Sequence, residues 1–193
     1  MKSAGYSLVE VLLAISVIVI VAGAAIPLAH GNVDRSRTAG AASYMATRMA
    51  LARFEAVKRS AFVAIKFDER SDGCWLRMYV DGNGDGVLSR DIERDVDQPI
   101  SSEERLDYHF PGVTFGIQRN VTSLDSGQPL DPADPIQIGA SPLLSFNPNG
   151  SSTSGTVFIR GRTATQFAVR VLGATARVRV FEYHFGDGIW RTR

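Results

Sequence analysis

Residues 11–28 have the sequence VLLAISVIVIVAGAAIPL, eighteen consecutive residues without a charge. As an α-helix that rises 1.5 Å per residue, this run would be about 27 Å long, close to the roughly 30 Å hydrocarbon core of a bilayer. The rest of the chain is polar enough to form an ordinary domain, since only 45% of all residues are hydrophobic and 21% are charged. We therefore expect an N-terminal membrane helix followed by a globular head.

The composition excludes several classes of protein. With 193 residues, the chain has the length of one domain plus a short extra element, and its composition is not that of a disordered or collagen-like chain. The net charge of +1 leaves nucleic-acid binding to a local patch rather than to the whole surface. The single cysteine, Cys74, excludes an internal disulfide and a cysteine zinc cluster.

One carboxylate, Glu10, directly precedes the apolar run. A secretory signal peptide, cut near residues 22–24 or after Ala29, is one interpretation of this N-terminus, and an uncleaved signal anchor is another. Neither explains Glu10, because a carboxylate at the membrane boundary costs free energy and usually marks a function. We therefore expect the Glu10 carboxylate to have a positively charged partner.

Gly5, the aromatic Tyr6, three further residues, Glu10 and the apolar run together resemble the type III signal of type IV pilins and type II secretion pseudopilins. In that family a prepilin peptidase removes a short basic leader just after the glycine, and the new N-terminus is methylated. The resemblance implies that Gly5 precedes the cut, that Tyr6 becomes the methylated terminus, and that Glu10 guides filament assembly. Tyr6 departs from the usual phenylalanine.

The resemblance also implies an organisation and a location. Residues 1–5 would be the leader, residues 6–29 a transmembrane and filament-core helix, and residues 30–193 a periplasmic head. The protein would cross the inner membrane once and then join a periplasmic pseudopilus or a pilus. Its partners would be other pilin or pseudopilin subunits, the prepilin peptidase and the inner-membrane assembly platform.

The fold that the pattern predicts is α+β, with a long N-terminal helix and a small antiparallel β-rich head. The polar residues 31–37 can continue the first helix, with a kink at Pro27. Residues 38–61 are alanine-rich and place a stripe of small and apolar side chains on one helix face, namely Ala42, Met45, Met49, Ala52 and Ala56. Within the β-rich region of residues 61–193, strands are predicted at 61–67, 75–80, 108–118, 156–159, 166–172 and 176–183, with residues 122–154 mostly loop.

The order of segments in the head is similar to that of the FimT/GspH group. The resemblance rests on residues 51–59 leading into a strand, on Trp75 ahead of an Asp/Asn/Gly loop, on residues 146–150, and on residues 173–179. It implies a minor structural subunit of a type II secretion pseudopilus or of a type IV pilus. Some FimT-like proteins are implicated in DNA uptake, so a DNA-binding minor pilin is the alternative.

An acidic loop supplies the pattern typical of calcium sites. Oxygen-bearing residues alternate from Asp81 and a glycine follows the third of them, which allows a tight turn around an ion; the candidate ligands are Asp81, Asn83, Asp85, Val87, Ser89, Asp91 and Glu93. Residues 81–97 contain six acids and two arginines, a net charge of −4. The twelfth position is Ile92, where an EF-hand has glutamate. A hairpin turn without an ion is the competing interpretation, and an anchored or secreted calcium-binding module is a further alternative function.

Basic residues concentrate at the other end of the head. Residues 160–193 contain seven arginines against Glu182 and Asp187. Arg177 and Arg179, together with Arg170, alternate along strands and would project from one face. With Trp190, Arg191 and Arg193 they would form a surface for DNA phosphates and one stacked base. A solvated sheet face, or a face for an acidic protein partner, is the other interpretation.

No catalytic motif is found in the sequence. His30, His109 and His184 are widely separated and lack the spacing of metal or nucleophile motifs. We expect the protein not to be an enzyme, and calcium is the only cofactor that the pattern predicts.

Overall fold

The computed structural model describes residues 7–139 and 141–193, without the side chains of residues 23–30. Its dominant element is helix α1 (Leu8–Arg59), 52 residues long, which corresponds to about 78 Å. Ser7 caps the start, and Ser60 ends the helix in the left-handed conformation with φ 53°. The predicted helix at 38–61 is therefore the last part of a single element. The predicted kink at Pro27 stays a prediction.

The predicted apolar stripe on the second half of α1 is confirmed. Ala42, Met45, Met49, Ala52 and Ala56 are fully buried. Alanine at three of these positions lets the helix backbone lie close to its neighbours, while the methionines fill the remaining gaps. The helix packs against both sheets of the head, and this contact forms the main hydrophobic core.

Two antiparallel sheets form the head. The first has the strand order β3-β2-β1-β7, with β4 also paired to β2; its strands are β1 (Val63–Arg70), β2 (Gly73–Val80), β3 (Gln98–Pro99), β4 (Glu104–Arg105) and β7 (Leu143–Phe146). The second has the order β11-β10-β9-β8-β5, with β6 paired to β8; its strands are β5 (Thr114–Phe115), β6 (Ile136–Gln137), β8 (Gly155–Arg160), β9 (Gln166–Leu172), β10 (Arg177–His184) and β11 (Ile189–Thr192). Two short helices, α2 (Ser89–Glu93) and α3 (Leu106–His109), lie in the connections. The α+β class is confirmed.

One strand prediction was wrong, and the short strands β3, β4, β6, β7 and β11 were not predicted. Residues 108–118 are not one strand, because α3 and the Pro111-Gly112 turn interrupt them and only Thr114–Phe115 pairs in a sheet. Residues 122–154 are mostly loop, as predicted, but they also contain β6 and the buried strand β7, which were not predicted. Strand β11 is short and forms by pairing with β10 along Phe181–His184.

Candidate functional site

The predicted N-terminal assembly site is described from Ser7 onward, so Gly5 and Tyr6 lie outside the described residues. Ser7 and Glu10 form a capping box: the Glu10 backbone N–H donates to Ser7 Oγ at 3.2 Å, and the Ser7 N–H donates to Glu10 Oε2 at 3.5 Å. Glu10 is exposed in the first turn of α1, at the positive end of the helix dipole. Among the described residues, its carboxylate accepts one long hydrogen bond, so it can accept others.

The first turns of α1 form an apolar segment, residues 8–21. Eleven large apolar side chains of this segment have 45–78% of their surface exposed: Leu8, Val9, Val11, Leu12, Leu13, Ile15, Val17, Ile18, Val19, Ile20 and Val21. Single soluble chains rarely expose a continuous apolar surface of this extent. Some apolar surrounding, lipid or protein, has to cover it.

Among the residues that the structure describes, no helix has both the length and the apolar character needed to cross a membrane.

Asp34 joins α1 to the turn between β8 and β9. Its carboxylate accepts hydrogen bonds from the backbone N–H groups of Arg162 and Thr163, both at 3.0 Å, and from Thr163 Oγ1 at 2.6 Å. Burial alone would raise the pKa of Asp34, but these hydrogen bonds outweigh it and hold the pKa below its ordinary value. A Cβ at Gly161 would lie 2.5 Å from Asp34 Oδ2, so the turn fits only because glycine stands there.

We expect Asp34→Asn to lower the free energy of unfolding by about 1.5–3 kcal/mol at pH 7, the usual contribution of hydrogen bonds to a charged group. Because the folded-state pKa is depressed, this contribution is complete above the ordinary pKa of aspartate and is lost as the pH falls through the folded-state pKa. The difference between wild type and variant should therefore shrink below about pH 4. Denaturant melts of the detergent-solubilised chain at several pH values measure it; a difference that is independent of pH would contradict the role of the charge.

A second pair of contacts fixes α1 to the head at two levels. Arg35 makes a bidentate ion pair with Glu182 of β10, at 2.5 and 2.9 Å. Higher on the helix, Tyr44 and Arg48 both bond to the carboxylate of Glu104, which is only 9% exposed. Burial opposes the ionisation of Glu104, yet the bonds from Arg48 and Tyr44 lower its pKa. The local sequence pattern does not predict these contacts, since the paired residues lie 56 to 147 positions apart.

The acidic loop is closed by its own backbone. Asp81 Oδ1 accepts from the N–H groups of Asn83 and Gly84, and Oδ2 accepts from Gly86 at 2.9 Å. Asp97, 1% exposed, accepts from the N–H groups of Gly82 and Leu88 and so ties the two ends of the loop together. Asp97 was not among the predicted ligands, although it is one of the six acids of this segment.

The seven predicted calcium ligands lie on two neighbouring elements. Asp81, Asn83 and Asp85 share the loop, and α2 holds Ser89, Asp91 and Glu93. Val87, which would ligate through its backbone carbonyl, lies between them and packs its side chain into a small core cluster. The Arg90 guanidinium bonds to Asp85 at 3.0 Å and to Asp91 at 3.3 Å, so a positive charge already neutralises two of the candidates. Within residues 7–139 and 141–193, no group of three or more His, Cys, Asp or Glu side chains is arranged to hold a metal ion.

The predicted arginine surface is divided between two faces of the second sheet. Strand alternation and register place Arg170, Arg177 and Arg179 on the outer face, with Arg170 held bidentately by Asp125 at 2.6 and 2.7 Å. In the pairing of β10 with β11, Arg191 stands opposite Glu182, and its side chain therefore lies on the other face of the sheet, toward α1. Arg193 lies on that side as well, with its guanidinium 5.9 Å from the Phe167 ring centroid. The five predicted residues do not form a single patch.

Trp190 is part of the fold rather than an open stacking platform. Its indole Nε1–H donates to the Thr122 carbonyl at 2.7 Å, and its ring packs against Phe158 and Tyr183. The loop that follows β5 thus covers this part of the outer face. A base could stack there only if that loop moved.

The two histidines whose side chains the structure describes lie in different elements of the head. His109 is in α3 beside Tyr44, and His184 is in β10. Burial, with the charges of Glu69 and Asp68 nearby, raises the pKa of the Cys74 thiol to about 12, so it stays protonated at neutral pH.

Comparison with known proteins places these features in a family. Residues 41–176 match the family described as Type II transport protein GspH, and residues 1–26 match the prokaryotic N-terminal methylation motif. The pilin-like protein PilA1 of Thermus thermophilus is 34% identical over 150 residues, which cover 78% of this chain and 80% of that protein. The structure of the minor pseudopilin EpsH from the Type 2 Secretion System of Vibrio cholerae is also similar, with a TM-score of 0.46 and 14% sequence identity. The match covers 75% of this chain and 94% of the EpsH chain. The chain therefore belongs to the GspH family of type II transport proteins and is a structural subunit of the minor pilin or pseudopilin type.

Proposed function

We propose that the chain is processed after Gly5, anchored in the inner membrane by residues 6–29 with its head in the periplasm, and then passed into a pseudopilus or pilus. The observation that supports this most is the division of α1. Its first part exposes the apolar segment 8–21, while its second part is buried in the head. One continuous helix thus joins a segment that needs an apolar environment to a folded head that does not.

Glu10 is the proposed assembly group. Cleavage after Gly5 would create an N-terminal amine at Tyr6, within about one helical turn of Glu10. A protonated amine beside lipid or apolar protein needs a carboxylate, from its own chain or from a neighbouring subunit. The Glu10 carboxylate is exposed, and within the part of the chain that the structure describes it accepts one hydrogen bond, 3.5 Å long, so it is suited to that pairing.

The proposed role is structural and not enzymatic. The family consists of filament subunits, and the polar side chains that the structure brings together are engaged with one another, as in the Glu104 and Asp34 contacts. No chemistry is assigned to the head; its task is to present surfaces to neighbouring subunits.

Processing tests the proposal. Co-expression with a prepilin peptidase should shorten the chain by residues 1–5 and leave Tyr6 at the terminus, as read from the intact mass of membrane-extracted protein. A Gly5→Val variant should stay at full length, because the cut depends on the residue before it. A terminus near Ala25 or His30, independent of the peptidase, would point to an ordinary secretory signal and contradict the filament role.

DNA binding is the alternative function, and we assign it to the outer face of the second sheet. Arg177 and Arg179 make no salt bridge within the described residues and project from the same side. The alternative predicts that replacing both by alanine lowers DNA affinity and reduces the slope of affinity against salt by about two charges. If the full chain shows no salt-dependent binding to duplex DNA, this alternative is wrong. That result would leave the proposed filament role standing.

We also propose, separately, that Asp81, Asn83 and Asp85 bind calcium. Because Arg90 is paired with Asp85, the ion has to displace the Arg90 guanidinium. Calcium should then raise the melting temperature of the chain relative to a chelator, since a ligand at one hundred times its Kd adds about 2.7 kcal/mol. Arg90→Ala should enlarge the increase by removing the competing cation. An unchanged midpoint in both proteins, with no heat of binding, leaves the self-closed turn as the correct description.

A further inference from the structure

The hairpin between β10 and β11 points toward the apolar segment of α1. Three contacts define the direction: Asp34 meets Thr163 just before β9, Arg35 meets Glu182 near the end of β10, and Arg53 approaches Gly150. Gly150 belongs to the loop that bonds through Ser152 to Gly173, beyond the far end of β9. Strand β10, which is antiparallel to β9, therefore runs back along α1 toward its N-terminus.

The hairpin tip reaches the level at which the apolar run ends. From Arg35 back to Leu28, seven residues of helix rise about 10 Å. From Glu182, the partner of Arg35, forward to Phe185, three residues of strand also advance about 10 Å. The turn 185–188 accordingly lies beside the last residues of the run 11–28, where a membrane-inserted helix would leave the bilayer.

The tip is built with exposed apolar side chains on a firm base. Phe185 is 37% exposed and Ile189 is 47% exposed. The turn is closed by the Gly188 N–H, which donates to the His184 carbonyl at 2.8 Å, and Gly188 adopts φ 66°. The Phe185 ring packs edge-on against Tyr183, at 5.0 Å between centroids. The hydrogen bond across the turn and the packing of Phe185 on Tyr183 thus fix the position of the apolar tip.

Two guanidinium groups flank the tip. The side chains of Arg35 and Arg191 are 60% and 55% exposed. Arg35 forms an ion pair with Glu182, and Arg191 forms one with Asp187. An arginine that uses two or three of its five donors on a carboxylate still has donors for a phosphate oxygen. Apolar side chains that enter the lipid interface beside arginines that meet the headgroups are the pattern of an interfacial membrane contact.

We propose that the β10–β11 hairpin docks on the phospholipid surface while the subunit is in the membrane, with Phe185 and Ile189 in the interface and Arg35 and Arg191 at the phosphates. This rests on the proposed membrane insertion of α1. The contact gives the head a fixed orientation on the bilayer. Extraction into a filament has to break it, and this makes the hairpin a determinant of the membrane-resident state.

Lipid quenching tests the contact in the full chain. Cys74→Ala provides a background in which a single introduced cysteine is labelled with a fluorophore, at Phe185→Cys and, as a second site, at Ile189→Cys. The protein is reconstituted in vesicles of phosphatidylethanolamine and phosphatidylglycerol that carry a nitroxide at headgroup depth. Phe54→Cys is the control on the head, because Phe54 is 59% exposed and lies about 28 Å further along α1 than Arg35. Ile18→Cys, inside the apolar segment and quenched by a deeper nitroxide, reports insertion itself.

The labels at 185 and 189 should each lose about half of their fluorescence or more, as expected within 5–10 Å of the interface, and the label at 54 should lose almost none. If the label at 18 is quenched but those at 185 and 189 behave like the one at 54, the hairpin contact is overturned while insertion stands. Labels at 185 and 189 that are shielded from water but not quenched by lipid would mean that a protein covers the tip, which also overturns it. An unquenched label at 18 overturns the proposed insertion and the hairpin contact together.

Discussion

Glu10→Gln is expected to reduce incorporation into the filament at least about tenfold, while leaving cleavage, membrane residence and the folded head intact. The variant removes the charge that would pair with the terminal amine of a subunit, and an unpaired buried charge costs about 3–5 kcal/mol. Glutamine keeps the capping box, because its amide oxygen still accepts from the Ser7 N–H. The measurement is crosslinking to the other filament subunits, with total membrane protein matched between variants.

Ser7→Ala is the matched control for this experiment. It removes the N-cap hydrogen bond to the Glu10 N–H but keeps the carboxylate, so it should weaken the helix end by about 1 kcal/mol and leave incorporation close to normal. If Glu10→Gln is incorporated normally, the charge is dispensable for this subunit, as would be so for a subunit at the filament tip. If both variants fail equally, the helix start matters and not its charge.

Arg48→Ala is expected to lower the free energy of unfolding by about 3–5 kcal/mol, because it leaves the buried Glu104 carboxylate without its cation. Tyr44 alone still donates to that carboxylate. Replacing both partners, Arg48→Met with Glu104→Gln, should restore a large part of the loss, since no buried charge is then unpaired. Denaturant unfolding of the detergent-solubilised chain measures these differences.

Arg59→Ala serves as the surface control, because its ion pair with Glu55 is an exposed contact one helical turn away. It should change stability by no more than about 0.5 kcal/mol. A loss for Arg48→Ala no greater than that for Arg59→Ala would show that the contact of Arg48, Tyr44 and Glu104 does not hold the helix to the head.

The sequence was most informative where a pattern is local. The helical stripe from Ala42 to Ala56 predicted the buried face of α1, because spacing along one helix determines which side chains share a face. The strands at 75–80 and 166–172 were found in the same way, from their apolar and β-branched residues. The signal around Gly5 and Glu10 predicted the family, which the N-terminal methylation motif and the GspH match confirm.

The sequence was least informative where a residue depends on a distant partner. Strand β7 is four residues long and is defined by its pairing with β1, about 80 positions earlier, so residues 143–146 looked like loop. Asp34 and Arg48 gain their roles from the turn at 162–163 and from Glu104, neither of which their neighbours in sequence reveal. The arginines near the C-terminus were grouped by proximity in sequence, yet Arg179 and Arg191 lie on opposite faces of the sheet.

The central claim, that this chain is a filament subunit with a pilin-type N-terminus, is tested most directly on isolated filaments. Pili or pseudopili sheared from cells that express the chain are purified, and the N-terminal peptide of the chain is identified by mass spectrometry. The prediction is a peptide that begins at a methylated Tyr6 and contains Glu10, present in the filament fraction in small amounts relative to the main subunit. A chain that is absent from filaments, or whose terminus lies beyond the apolar run 11–28, would contradict the claim.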